Sequence, residues 1–114
     1  MAVSSGKTKY ILATDDNIRS IVRAEIKQDA HADLSLIDVS AVTNMSYLFL
    51  NSPFDGDIST WEVGNVADMT GMFMNSKFSG DISHWDVSKV KKHDCCFDGS
   101  PLEKQPNKQP KFNP

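Results

Sequence analysis

One short segment near the end of the chain carries residue types that bind metal ions. It contains His93, Cys95 and Cys96, and a further histidine, His84, precedes it by nine residues. Imidazole nitrogens and thiolates are ligands that zinc prefers. The segment lacks the second ligand pair that is typical of zinc motifs. A metal site is therefore one interpretation, and the other is that His93 and Cys96 fill the interior, since free cysteine is often buried.

Acidic side chains recur at intervals of 24 residues in two series. The series are Asp33, Asp57 and Asp81, and Asp38, Glu62 and Asp86. Equivalent environments give their pKa values no reason to separate, which argues against a general acid–base pair. Three interpretations stay open. The carboxylates are solvated or accept turn N–H groups, they attract a basic partner, or they hold a cation such as calcium.

No catalytic constellation is apparent in the sequence. It contains no GxSxG, phosphate-binding loop, dinucleotide fingerprint or HExxH motif. We therefore predict a protein that is not an enzyme and needs no cofactor. Trp61 and Trp85 could form an exposed binding pair, but they alternate with Thr60 and His84. That alternation favours an interior position for both tryptophans.

These residues belong to a repeat of 24 residues. FDGDISTWEVGNVADMTGMF (residues 54–73) returns as FSGDISHWDVSKVKKHDCCF (residues 78–97), and a looser copy covers residues 32–49. In each copy the apolar spacing changes from alternation, as at Trp61 and Val63, to steps of three and four, as at Val66 and Met69. The pattern predicts one strand and one short helix per copy. We therefore predict an α/β solenoid of about three strand–helix coils with a short parallel sheet.

The segments outside the repeats have separate predicted roles. Residues 1–6 are expected to be disordered, and residues 8–13 to be extended over the first edge. Apolar residues at helical spacing predict an amphipathic helix over residues 15–28 that caps the repeats. Residues 103–114, rich in Pro and Lys, are expected to hang free or lie extended across the last coil. The predicted organisation is 1–31 (start and capping helix), 32–102 (three repeats) and 103–114 (flexible tail).

The repeated string GDIS…W-[DE]-V…V resembles the BspA-like repeat of bacterial surface proteins, found in mycoplasma lipoproteins and adhesins. The similarity covers residues 33–102. It implies a leucine-rich-repeat-like fold and a role in protein binding, often at cell surfaces, and it implies no reaction. The last copy departs from the pattern, because Lys91, Lys92, His93, Asp94 and Cys95 replace small residues and methionine.

Charge and composition limit the classes of partner and the cellular compartments that we expect for this protein. The net charge is −3, with 12 basic and 15 acidic residues. Residues 103–114 have a net charge of +2, so the rest of the chain is more acidic than the total suggests. An acidic body argues against nucleic-acid binding. No apolar run has transmembrane length, and no signal peptide is visible, which favours the cytoplasm unless a leader was removed. Two adjacent cysteines do not make a secreted disulfide framework.

Together these observations predict a protein-interaction module that is a monomer or self-associates weakly. The predicted partner is an unidentified protein, and the acidic series favour a basic one. The alternatives are a metal- or calcium-stabilised binding module and a purely structural repeat unit. The predicted contact residues are outward-facing positions on the strand half of each copy: Leu36, Asp38, Thr60, Glu62, His84 and Asp86.

Overall fold

The computed structural model describes residues 11–113. Within this range the elements are strand β1 (Ile11–Leu12), helix α1 (Ile18–Gln28), strand β2 (Ile37–Asp38) and two short 3₁₀ helices, Pro101–Lys104 and Pro106–Lys108. Strands β1 and β2 pair in parallel, with Ile11 opposite Ile37. The predicted disorder of residues 1–6 and the start of the predicted extended segment, residues 8–10, lie outside the described residues.

The prediction of an α/β solenoid with about three strand–helix coils is wrong. Between residues 11 and 113 the regular structure amounts to one α-helix, one pair of two-residue strands and the two 3₁₀ helices. That is too little for three coils that each contain a strand and a helix. The leucine-rich-repeat-like architecture is therefore not supported, and the molecule is a small domain with an open, two-stranded sheet.

The helical half of each repeat is replaced by a series of tight turns. Backbone N–H groups of Met69, Gly71 and Phe73 donate to carbonyl oxygens of the next repeat at 2.7, 2.9 and 2.8 Å. An α-helix needs those N–H groups for bonds to the carbonyl four residues earlier. Gly71 also has φ +59°, a left-handed conformation that interrupts a helix. The spacing of three and four residues between apolar side chains therefore arises from consecutive turns and not from a helix.

The strand half of each repeat also turns back on itself. The N–H of Trp61 donates to the carbonyl of Ile58 at 3.1 Å, and that of Val66 to the carbonyl of Val63 at 3.0 Å. A parallel sheet would direct these groups to a neighbouring strand. Successive copies instead meet at isolated parallel bridges, which join Asp33 to Asp57, Asn44 to Asp68 and Asp68 to Lys92.

Stacked aromatic rings hold successive copies together. The rings of Phe49, Phe73 and Phe97 lie 5.4 and 5.7 Å apart between centroids, with interplanar angles of 8° and 7°. Trp61 and Trp85 stack at 6.5 Å and 11°. These rings are almost fully buried, so the prediction of interior tryptophans is confirmed. Each copy buries its aromatic residues against the next, which suits a chain too small for a large central core.

The predicted N-terminal helix is present, and it begins three residues later than expected. Ile18 and Val22 are buried against the repeats, while Ile21 and Ile26 pack at the edge of the core. The preceding residues form a turn because the carboxylate of Asp15 accepts hydrogen bonds from the first repeat instead of from the helix. The helix therefore covers the first copy.

The C-terminal segment lies against the last repeat. Leu102 is fully buried. The carbonyl of Lys108 accepts a hydrogen bond from the N–H of Ile82 at 3.0 Å. The ring of Phe112 stacks on His93 with a centroid distance of 4.1 Å. These contacts cover the apolar side chains of the third copy, and the division of the chain at residues 31 and 102 stays a prediction.

Candidate functional site

Two adjoining cavities form one groove across the repeats, here called the repeat groove. The larger has a volume of about 730 Å³ and the smaller about 370 Å³. Both are lined by Ser40, Thr60, Trp61 and Glu62, so they are continuous. The groove crosses all three copies and is open to solvent.

Five of the six predicted contact residues line the repeat groove. Asp38 lines the smaller cavity, and His84 and Asp86 line the larger. Thr60 and Glu62 line both. The sixth residue, Leu36, is exposed and lines neither cavity. Whether these residues contact a partner stays a prediction.

Two of the groove carboxylates are engaged in local turns. Asp38 Oδ1 accepts the backbone N–H and the hydroxyl of Ser40 at 3.0 and 2.7 Å. Asp86 Oδ1 accepts the backbone N–H of Ser88 at 3.0 Å. Hydrogen bonding by the serine hydroxyl and then by its N–H lowers the pKa of both Asp38 and Asp86. Both carboxylates therefore stabilise turns in their charged form, Asp38 in a half-buried position and Asp86 in an exposed one.

Glu62 is the exception in this acidic series. Gly64 occupies the position that Ser40 and Ser88 hold in the other copies, so no hydroxyl is present to bind the carboxylate. Among the described residues, the side chain of Glu62 makes no hydrogen bond and is exposed. Its carboxylate is therefore the one in this series with both oxygens free of turn hydrogen bonds.

Polar contacts fix the other side chains that line the groove. His84 Nε2 lies 2.6 Å from the carbonyl oxygen of Ser59. Because a carbonyl only accepts, the proton resides on Nε2. Lys89 Nζ donates to Asn65 Oδ1 at 3.1 Å, and Asn65 Nδ2 donates to the carbonyl of Ser40 at 2.8 Å. His84, Asn65 and Lys89 are therefore held in place at the groove, in contrast to Glu62.

The other acidic series also accepts hydrogen bonds from turns. Asp57 Oδ1 accepts the N–H of Ser59 at 2.9 Å, and Asp81 Oδ1 accepts that of Ser83 at 3.0 Å. The backbone N–H, followed by the serine hydroxyl, lowers the pKa of Asp57 and Asp81. Local hydrogen bonds thus offset the repulsion between like charges in successive copies.

The potential metal ligands near the C-terminus point in different directions. Cys96 is buried, and burial raises the pKa of its thiol to about 12. Cys95 is exposed, and a hydrogen bond to Asp98 raises the pKa of its thiol. Within residues 11–113, no three His, Cys, Asp or Glu side chains are grouped so that they could hold a metal ion. The geometry of the described residues therefore provides no set of ligands for the metal-dependent alternative.

The groove residues that sequence reasoning missed include three that are joined by hydrogen bonds. Ser40, Asn65 and Lys89 line it and bond to one another, but they were not among the predicted contacts. A signal for two of them was present, because Asn65 and Lys89 are 24 residues apart and follow the repeat. The link from Asn65 to Ser40 depends on backbone geometry that spacing alone does not provide.

These features define a small repeat protein in which 24-residue copies stack through backbone hydrogen bonds and aromatic rings. A family model described as "Mycoplasma protein of unknown function, DUF285" matches residues 17–112. The chain belongs to this family. No curated protein and no solved structure matches the chain. In the described part of the chain, no helix has the length and hydropathy needed to cross a bilayer.

Proposed function

We propose that the chain is a non-enzymatic protein-interaction module and that the repeat groove binds the partner. The observation that carries this proposal is the continuity of the two cavities across three stacked copies. A groove of this volume is large enough to receive several side chains of a peptide segment.

Preorganisation of the groove supports a binding role. Turn hydrogen bonds fix Asp38 and Asp86, the carbonyl of Ser59 fixes His84, and Asn65 fixes Lys89. Side chains that are already ordered lose little conformational entropy on association. A groove with such ordered side chains is suited to one specific ligand and not to many unrelated ones.

Charge supports a basic segment as the ligand. The groove contains the carboxylates of Asp38, Glu62 and Asp86 against one lysine, Lys89. Opposite charge accelerates encounter and selects among partners more than it raises affinity. The small size of the groove favours a transient complex. The end of the groove that contains Lys89 would then bind a polar or acidic group of the same segment.

The resemblance of the GDIS…W…V string to BspA-like bacterial surface repeats supports the same role at the level of sequence. That resemblance concerns the repeated motif and its association with protein binding, often at cell surfaces. We propose that the chain belongs to this functional group. The claim is independent of the leucine-rich-repeat-like architecture, which the structure does not support.

Charge reversal at Glu62 tests the proposal. Affinity capture from lysate of the source cells would compare the wild type with Glu62→Lys. We expect the variant to lose a protein that the wild type recovers, and the affinity for that protein to fall about tenfold, since 1.4 kcal/mol changes a binding constant by that factor. Asp86→Lys is a poorer variant because it also removes a turn cap.

Asp94→Lys is the matched control, because Asp94 is exposed and lies outside the repeat groove. It changes the net charge by the same amount. Both variants should keep the circular dichroism spectrum of the wild type. Recovery of the same protein by Glu62→Lys and wild type alike would refute the groove as the binding site.

A further inference from the structure

A second groove lies between helix α1 and the turn of the first repeat, and is here called the helix groove. It has a volume of about 620 Å³ and shares no lining residue with the repeat groove. One wall carries Arg19, Arg23 and Lys27 of the helix, and the other carries Tyr47 and Leu50. The groove thus combines cationic groups with apolar surface.

The charge of the helix groove is opposite to that of the chain as a whole. Its acidic or basic lining residues are Arg19, Arg23 and Lys27, and its lining includes no carboxylate, although the chain has a net charge of −3. Spacing of four residues places the three cations on one face of the helix. Arg19 donates to Ser46 Oγ at 3.4 Å. Arg23 and Lys27 are exposed and make no side-chain hydrogen bond within residues 11–113.

The backbone of Tyr47 has an unfavourable conformation at this groove. Its φ is +57°, which is uncommon for any residue with a side chain and an outlier for a bulky one. The equivalent residues of the later copies, Gly71 and Cys95, have φ +59° and +58°, so this left-handed turn is common to all three copies. The Tyr47 ring lies over Gly71, where an added Cβ would overlap it. The ring is therefore fixed, yet 46% of the residue surface is exposed.

An exposed aromatic ring that is already held in place offers a ligand a preformed apolar contact. Packing against Gly71 keeps the ring in one position, so it loses little freedom when a ligand covers it. Leu50, with 37% of its surface exposed, extends the apolar area beside the ring. Tyrosine and arginine are two of the residue types that contribute most to binding energy at interfaces.

We propose that the helix groove docks an acidic peptide segment of a partner protein. An apolar side chain of that segment packs between Tyr47 and Leu50, and its carboxylates pair with Arg23 and Lys27. A concave, partly apolar site favours a peptide over a flat membrane surface. An anionic membrane would also repel the acidic remainder of the chain. This site is independent of the repeat groove, whose predicted ligand has the opposite charge.

Selection from a display library of short random peptides on the full chain tests the proposal. The selected peptides should be enriched in Asp and Glu together with Leu or Phe. A synthetic copy of the most enriched peptide, labelled with fluorescein, should bind the wild type in an anisotropy titration. Arg23→Glu/Lys27→Glu should weaken that binding at least tenfold. Lys91→Glu/Lys104→Glu, which reverses two exposed lysines outside both grooves, should bind as the wild type does.

Tyr47→Gly provides a second, independent variant. Glycine adopts the positive φ at this position without strain, so we expect Tyr47→Gly to fold at least as well as any other substitution of Tyr47. It should bind the peptide at least tenfold more weakly because the ring is gone. This variant keeps the proposal testable if Arg23→Glu/Lys27→Glu fails to fold.

Three results would overturn the proposal. One is selection of peptides without acidic enrichment, and another is equal affinity of the acidic peptide for the wild type and both groove variants. The third is failure to select any peptide while the wild type binds vesicles of phosphatidylserine and phosphatidylcholine. In that case the cations of the helix groove would belong to a membrane-binding surface instead.

Discussion

Carboxylates and amides of single residues shape the turns of this protein. The side-chain oxygens of Asp33, Asn44 and Asp68 each accept the N–H of the residue two positions later, at 2.9 Å. Asp38, Asp57, Asp81 and Asp86 do the same. Such bonds stabilise tight turns without regular secondary structure. The carboxylates of both acidic series thus stabilise the fold, and Glu62 is the member that accepts no turn hydrogen bond.

The two tryptophans provide a matched comparison at the residue scale. Trp61 Nε1 donates to the carbonyl of Leu34 at 2.9 Å, whereas Trp85 Nε1 is buried and has no hydrogen-bond partner among the described residues. Both Trp→Phe substitutions remove a similar apolar area. Trp61→Phe also removes a hydrogen bond, so it should lower the free energy of unfolding by about 1 kcal/mol more than Trp85→Phe.

Chemical denaturation of both variants followed by far-ultraviolet circular dichroism measures the difference. Equal losses, or a larger loss for Trp85→Phe, would contradict the hydrogen-bond assignment. The interior position of both rings was predictable from alternation with Thr60 and His84. The unequal bonding of the two indoles was not, because it depends on small differences in stacking between equivalent copies.

At the scale of elements, a side chain just before helix α1 adds hydrogen bonds to the apolar packing that joins the helix to the first repeat. The carboxylate of Asp15 accepts the N–H of Thr43 at 2.8 Å, its hydroxyl at 2.6 Å and the N–H of Asn44 at 3.1 Å. Asp15→Ala removes all three bonds. Because the site is exposed, we expect the free energy of unfolding to fall by about 1–2 kcal/mol.

Asp16→Ala is the control for this prediction. Asp16 is exposed and its side chain makes no hydrogen bond within residues 11–113, so the change should stay within about 0.5 kcal/mol. Thermal melts of the two variants, side by side, test the pair. Similar melting temperatures for both would show that the contact from Asp15 does not hold the helix in place.

The sequence predicted the helix well and the repeat halves poorly. Ile18, Ile21, Val22 and Ile26 occupy one face of a helix that is present. The same reasoning gave a second, short helix around Met69 and Met72, where consecutive turns are found. Apolar periodicity reports which side chains face inward, and it does not report where the N–H groups bond. Asn51 and Asn75 both adopt a positive φ, a conformation that asparagine tolerates; a turn was predicted at Asn75 and none at Asn51.

At the scale of the molecule, stability should depend on pH in the acid range. Hydrogen bonds lower the pKa of Asp15, Asp38, Asp57, Asp81 and Asp86 below the ordinary value of 3.8. The unfolded chain then binds more protons than the folded one. Stabilisation is therefore complete well above about pH 4 and is lost as the pH falls through the lowered values.

Asp57→Asn/Asp81→Asn tests the cause of this pH dependence. An amide oxygen can accept the same turn N–H without titrating, as Asn44 does for Ser46. The melting temperature of the wild type should fall between about pH 5 and pH 2, and that of the variant should fall less. An equal fall in both proteins, or a rise in stability on acidification, would contradict the prediction.

On the surface formed by residues 11–113, the repeat groove and the helix groove carry opposite charge. The sequence predicted contact positions but no groove, and it grouped those positions because equivalent residues of successive copies lie side by side. Five of the six residues selected on that basis line the repeat groove. The helix groove could not be predicted, since it depends on how helix α1 packs against the turn that contains Tyr47.

The measurement that tests the central claim most directly is site-specific photo-crosslinking from the repeat groove. A photoreactive amino acid at Thr60, which lines both cavities, would be compared with one at Asp94, which lines neither. We predict a crosslinked partner protein from position 60 and none from position 94, and loss of the adduct when Glu62→Lys is added. Adducts of equal yield from both positions, or from position 94 alone, would show that the partner binds elsewhere.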